Sequence, residues 1–272
     1  MIMNNTLKYP ILLVHGMGFR DRKAFCYWGR IPKTLEALGA KVYFGGQDSN
    51  GALEDNAGHI AKRIDEILDE TGARKVNIIA HSKGGLESRY IISSLGYAEQ
   101  VASLTTISTP HHGSKTVDLL MKTPQWLVRA GCFCVDLWFR LLGDKCPRTY
   151  RAICQFKTNV AQDFNQTNPD DPQVYYQSYA FVMKNPFSDL TMFLPSLVVG
   201  WVEGENDGLL TPQTAQWGEF KGICRGNGRR GISHADEVDM RRRRLSRKNG
   251  DGISDITDLY KDIILDLIKR GY

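Results

Sequence analysis

The stretch from Val76 to Tyr90, VNIIAHSKGGLESRY, constrains the fold more than any other part of the 272-residue chain. Val76, Ile78 and Ile79 form a short β-branched run that suits a buried parallel strand, and Leu86, Tyr90 and Ile91 recur at helical spacing. Between them lies Ala80-His81-Ser82-Lys83-Gly84-Gly85, a G-x-S-x-G turn with Ala in the first Gly position. A serine in such a turn is held in a strained backbone conformation, and only small residues two positions either side let strand and helix pack closely. Ala80 and Gly84 meet that demand, which makes Ser82 the candidate nucleophile.

The rest of the chain repeats the same alternation. Tyr9–Val14 reads as a buried strand feeding the loop His15-Gly16-Met17-Gly18-Phe19, Ala24–Leu38 as a helix closed by Gly39, and Lys41–Phe44 as a second strand. Asp55–Glu70 is amphipathic, with Ile60, Ile64, Ile67 and Leu68 on one face and Gly72 as its stop; His59 on this helix carries no assigned chemistry. Val101–Ser108 is a strand ending in Thr109-Pro110-His111-His112-Gly113. Strand and helix in regular alternation predict a parallel sheet covered on both faces, with ligands beyond the carboxyl ends of the strands. Gly16, Ser82 and His111 fall at those ends.

Downstream the pattern changes. Thr116–Leu142 is rich in Leu, Trp and Phe and too apolar for a solvent loop, so it reads either as ordinary helical packing or as an insertion that covers the site and opens on a lipid surface. Arg151–Phe164 resumes a helical pattern, Val174–Val182 alternates like a strand, and Leu197–Trp201 reads as a strand leading to the acids Glu203, Glu205 and Asp207. Gly222–Gly231, with four Gly and three Arg, reads as a mobile loop before Ser233-His234-Ala235-Asp236, and an amphipathic helix after Asp255 closes the chain.

Size and composition set limits. One α/β domain over residues 1–272 is the expectation, since 42% apolar and 24% charged residues suffice for a sizeable core. The excess of 35 Lys and Arg over 30 Asp and Glu is too small to imply a nucleic-acid partner, and Arg241–Arg244 reads as a solvated helix face or loop. No stretch reaches a membrane-span length, and the N-terminus lacks the apolar core of a signal peptide, so the expected location is cytoplasmic, or secreted if a leader has been trimmed. The six Cys read as buried free thiols; Cys132, Cys134, Cys146 and Cys154 match structural zinc spacings poorly.

Acyl transfer through a serine needs a base for the hydroxyl proton and a carboxylate to orient that base. Ser82, Asp207 and His234 stand in the order Ser, Asp, His that α/β-hydrolases use. His234 is the one histidine after the acid, and Asp207 is preferred to Glu203 and Glu205 because an Asn-Asp-Gly turn suits a carboxylate held at a strand end. The amides of Lys83, just after the nucleophile, and Met17, in the loop after the first strand, are the candidate oxyanion donors. No cofactor is required by this chemistry.

VHGMGF at Val14–Phe19, AHSKGG around Ser82, STPHHGS at Ser108–Ser114, NDGL at Asn206–Leu209 and HADEVD at His234–Asp239 resemble the bacterial true lipases, both the Pseudomonas and Burkholderia type and the thermophilic Bacillus type. The resemblance implies an α/β-hydrolase fold with a helical lid at about residues 114–165, a Ser82/Asp207/His234 triad, an oxyanion hole from Met17 and Lys83, and hydrolysis of carboxylic esters including acylglycerols. It implies as partners a lipid or small ester and a transient lipid surface met through the lid. It also implies a structural calcium near His234 with Asp236 as a ligand, although Met240 and Arg241 stand at a later ligand position and offer no side-chain oxygen. The zinc-bearing insertion of the Bacillus type has no counterpart between Gly45 and Glu54. A thioesterase or acyltransferase using the same triad, and a lipid-binding protein without catalysis, are the alternatives.

Overall fold

The structure is a computed structural model that describes residues 6–21, 26–247 and 250–272. Six strands, β1 (Ile11–Val14), β2 (Val42–Phe44), β3 (Val76–His81), β4 (Val101–Ile107), β5 (Tyr175–Val182) and β6 (Glu219–Arg225), form one sheet in the order β2-β1-β3-β4-β5-β6. Every neighbouring pair is parallel. The side chains of β1 show why both faces must be covered. Ile11 and Leu13 enter one apolar cluster, with Trp28, Ile31, Tyr260 and Ile263, while Leu12 and Val14 enter another, with Ile60, Ile64, Ile78 and Ile91. Strand side chains alternate, so one fully apolar strand feeds two cores.

Helices α1 (Ile31–Glu36), α2 (Leu53–Thr71), α3 (Lys83–Ser93) and the last helix, α10 (Ile256–Arg270), supply the covering layers. Gly72 ends α2 as expected, in the left-handed conformation at φ 67°. The Asp255 side chain caps α10 by accepting from the Thr257 amide. The first helix is shorter than its periodicity suggested. Pro32 in its first turn permits a start at Ile31, Tyr27 and Trp28 pack from a preceding turn, and Ala24 lies outside the described residues.

The segment between β4 and β5 holds α4 (Lys115–Leu120), α5 (Gln125–Leu141), α6 (Thr149–Cys154) and α7 (Thr158–Thr167). The helical run read over Arg151–Phe164 is thus two helices, broken near Phe156 and Lys157. Helix α5 buries only Cys132, while Trp126, Phe133, Trp138 and Leu141 are 59–75% exposed. It does not pack as an ordinary core helix.

Two expectations fail. Leu197–Trp201 lies not on a strand but inside α8 (Phe193–Val202). The reason is visible in its spacing: Leu194, Leu197, Val198 and Trp201 recur at i, i+3, i+4 and i+7 and form one exposed apolar stripe. Gly222–Gly231 is not all loop, because β6 runs to Arg225; Gly222, at φ 105°, sits where the β5–β6 register shifts. A short helix α9 (Pro212–Ala215) precedes β6. Among the described residues no helix is long and apolar enough to cross a membrane.

Candidate active site

The chain reverses direction across the sheet between β1 and β3, since β2 lies on one side of β1 and β3 on the other. Loops leaving such a switch point open a crevice at the carboxyl edge. Ser82 stands there as a lone residue between β3 and α3, at φ 53°, ψ −127°, a conformation costly for a residue with a Cβ. Close approach holds it. A Cβ on Gly84 would lie 2.6 Å from the Val14 carbonyl, and one on Gly85 would lie 2.1 Å from Thr109 Oγ1, so α3 can seat on β1 and β4 only with glycine at both positions. Thr109 Oγ1 also donates to the Ser82 carbonyl at 2.8 Å.

The acid and base come from two loops tied to the end of β5. The Met183 amide bonds the Asn206 carbonyl at 2.8 Å, Ile232 bonds Val182 at 2.9 Å, and the His234 amide bonds the Asp207 carbonyl at 2.8 Å. His234 Nδ1 then donates to Asp207 Oδ2 at 2.8 Å, while Asp207 Oδ1 accepts from the Leu209 and Leu210 amides. Burial would raise the Asp207 pKa, but the charge and hydrogen bond of His234, with the other donors, outweigh it and bring it down to about 2. Asp207 is therefore a buried carboxylate. Its rivals are engaged elsewhere: Glu203 Oε1 accepts from Ser114 Oγ, Thr116 N and Thr116 Oγ1, and Glu205 forks with Arg225.

Ser82 Oγ and His234 form no hydrogen bond in this geometry. The His234 ring packs instead on His81, the residue before Ser82, at 4.4 Å between centroids. The candidate base thus packs on the residue next to the candidate nucleophile, and catalytic hydrogen bonds often tighten only when substrate binds.

Met17 and Lys83 flank the same crevice. The Gly16 amide donates to Tyr27 Oη at 3.1 Å and the Gly18 amide to Asn50 Oδ1 at 3.2 Å, so the Met17 amide lies between two anchored neighbours. The two glycines serve differently: a Cβ on Gly16 would sit 2.8 Å from Ser82 Cβ and 2.9 Å from Tyr27 Oη, whereas Gly18, at φ 94° with open space around it, supplies the left-handed turn. The Lys83 amide belongs to the first turn of α3, where backbone donors lack helical partners. The Lys83 side chain turns away into a buried ion pair with Glu87, which Asn56 also bonds.

A buried chain of polar groups, not legible in the sequence, runs beneath these residues. Tyr27 Oη lies 2.6 Å from His81 Nδ1, and His81 Nε2 lies 3.0 Å from Glu237 Oε2, which is 3.7 Å from His234 Nδ1. Burial, then the nearby His234, depresses the His81 pKa well below its usual value; burial, then repulsion from Asp207, raises that of Glu237 well above its own. Both shifts favour the neutral form, and Asp207, whose pKa is lowered, is the carboxylate that faces His234. His81, His234 and Glu237 are the one group of three metal-type donors among the described residues, within 4.8 Å of one another, but His81 and His234 are each committed to the hydrogen bonds just given.

Asp236, the residue offered for calcium, lies 5% exposed on the turn after His234, where its Oδ2 meets Arg241 Nη2 at 2.8 Å and Ser233 Oγ at 3.0 Å. Arg241 is thus no solvated member of a basic run. His15 and His111 are buried and hydrogen-bonded, and His59 and His112 are exposed. All six cysteines are free, but of the four in the insertion only Cys132 is buried, which corrects the expectation of buried thiols.

A family model described as palmitoyl protein thioesterase matches residues 10–223. Triacylglycerol lipase 2 of Saccharomyces cerevisiae is 28% identical over 261 residues, which cover 90% of this chain and 74% of that protein. A triacylglycerol lipase of Pseudarthrobacter phenanthrenivorans is 40% identical over 118 residues, 42% of this chain, and the match spans only 36% of that relative's length. The crystal structure of the mature Bacillus licheniformis lipase BlEst2 superposes with a TM-score of 0.68 at 22% identity, covering 96% of this chain and 92% of the other. The fold is the α/β-hydrolase fold.

Proposed function

The chain belongs to the palmitoyl protein thioesterase family, and we propose that this carboxylic ester hydrolase works through an acyl-enzyme on Ser82. Ser82 Oγ attacks the ester carbonyl and passes its proton to His234 Nε2; the imidazolium, held by Asp207 through Nδ1, returns that proton to the departing alkoxide. Water then repeats the sequence on the acyl-serine and releases the acid. The Met17 and Lys83 amides receive the oxyanion of each tetrahedral intermediate. The observation that carries the reading is the Asp207–His234 hydrogen bond of 2.8 Å, made by two loops that share one strand end with the elbow serine beside them.

The substrate class proposed rests on two exposed apolar helix faces. Helices α5 and α8 expose Trp126, Phe133, Trp138, Leu141, Leu194 and Trp201, an area too apolar for a surface that meets only water. It suits a lid that covers an acyl chain and meets a lipid surface, so acylglycerols or other esters of medium to long acyl chains are the substrates proposed. The description of the matched family favours a second reading, hydrolysis of acyl thioesters by the same residues.

p-Nitrophenyl esters from acetate to palmitate, and palmitoyl-CoA, should be assayed with the wild type and Ser82→Ala. Activity that rises with chain length and falls at least about 10³-fold in Ser82→Ala supports the reading. Activity unchanged in Ser82→Ala removes the acyl-enzyme, and preference for the thioester moves the second reading to the front.

A further inference from the structure

Four oxygens from two separate stretches of chain converge on one nitrogen. Arg241 Nη2 lies 2.8 Å from Asp236 Oδ2, 3.0 Å from Asp189 Oδ2, 3.2 Å from the Ser188 carbonyl and 3.4 Å from Ser233 Oγ. Ser188, Asp189, Ser233 and Asp236 are all at most 7% exposed. The Ser233 hydroxyl is also within reach of both carboxylates, at 2.7 Å from Asp189 and 3.0 Å from Asp236.

An all-oxygen set with two carboxylates, one carbonyl and one hydroxyl is the donor chemistry that calcium selects. Here the residues do not fit a resident calcium, because the place it would take is filled by the chain's own guanidinium. We infer that Arg241 is a built-in substitute for a divalent cation: its Nη2 joins the turn that carries His234 to the segment after β5, and makes that joint independent of metal.

The geometry explains why the joint is needed. Residues 233–241 contain one short turn and no longer element, so side-chain contacts must fix them. Asp239 is gripped by Arg30, and Glu237 by His81, from the side of α1 and β3. Toward the segment after β5 the attachments are Ser233 and Arg241, the latter held on this turn by Asp236. An arginine fits because its planar fork brings nitrogen to several oxygens at once and stays charged at any pH the protein meets. One positive charge against two carboxylates leaves the cluster with one net negative charge, and removing the guanidinium leaves it with two.

The test uses thermal unfolding, so it does not depend on which ester or thioester is cleaved. Wild type, Arg241→Lys and Arg241→Gln are melted in EDTA, in calcium and in magnesium; if Arg241→Gln folds only with calcium present, it is prepared so and then stripped. We expect wild type to melt at the same temperature in all three. Arg241→Gln should melt several degrees lower in EDTA and recover part of the loss in calcium, saturably, with less recovery in magnesium. Arg241→Lys should fall between, without a calcium response. Wild type that loses stability in EDTA would overturn the inference, since a metal would then be resident. So would Arg241→Gln melting like wild type, and so would a destabilised Arg241→Gln indifferent to calcium, which would leave an ordinary salt bridge.

Discussion

At the scale of single residues, the site depends on which groups are kept uncharged. If Glu237 were ionised, a second carboxylate 3.7 Å from His234 Nδ1 would compete with Asp207; burial and repulsion from Asp207, which push its pKa up, work against that ionisation. Glu237→Gln, neutral and similar in shape, should therefore keep near-wild-type kcat, while Glu237→Ala leaves His81 Nε2 buried without a partner and should cost about 1–3 kcal/mol, measured by denaturant unfolding. Gly16→Ala should fold, yet its Cβ must displace Ser82 or Tyr27, and a shift of that kind lowers kcat by roughly 10²-fold, read in a chain-length assay beside wild type. Ser82, Asp207 and His234 could be singled out in the sequence because a turn motif and chain order mark them. Glu237, Tyr27 and Arg241 could not, since their meaning lies in partners 156, 54 and 52 residues away.

Among the elements, strands and amphipathic helices of the sheet were legible because each buries a periodic face. Helix α8 differs from the strand expected because the short run Leu197-Val198-Val199-Gly200-Trp201 fits a buried strand as well as a helix with an apolar stripe left in solvent. That stripe and the outer face of α5 should act together on aggregated substrate. Trp138→Asp and Trp201→Asp are each expected to lower hydrolysis of emulsified long-chain ester several-fold while leaving a soluble short-chain ester within about twofold; equal loss on both substrates would make these tryptophans packing residues. Helix α8 is also joined physically to the start of the insertion. Glu203, one residue past α8, accepts three hydrogen bonds of 2.8 Å from the start of α4, so Glu203→Ala should cost about 1–2 kcal/mol locally and speed amide hydrogen exchange in 115–120 before it changes the melting of the sheet.

For the whole molecule, buried histidines set the response to acid. His15, brought to about 4 by burial, and His81 and His111, lowered well below 6.5 mainly by burial, refuse protons that the unfolded chain accepts. The unfolded state then binds more protons, and stability falls as pH drops from 6.5 toward each folded value, on the order of 3 kcal/mol for His15 alone. Asp207 adds to this only below its ordinary 3.8, as pH falls to about 2, whereas Glu237 and Asp21, the latter raised by burial to about 7, oppose it because their raised values favour the folded state at lower pH. Glu87, Asp170 and Asp236, raised likewise by burial, join the opposing acids, so the histidine share is read by difference: His15→Gln should lose less melting temperature than wild type between pH 6.5 and 4, checked by calorimetry across that range, and an equal loss would mean that His15 is charged when folded. None of these burials can be read from composition, since they depend on which loop end closes over which strand. The sheet itself carries a last consequence. Strands β4 and β5 are side by side, pairing Ser103 with Tyr175 through Ile107 with Tyr179, although residues 108–174 separate them along the chain. Insertions or deletions in that excursion leave the pairing phase of every strand intact, while one residue gained or lost inside β1 would exchange its two cores. On the lid reading proposed above, descendants of such a gene can change which acyl chains they accept by altering the length of one segment, and inherit the rest of the proposed site unaltered.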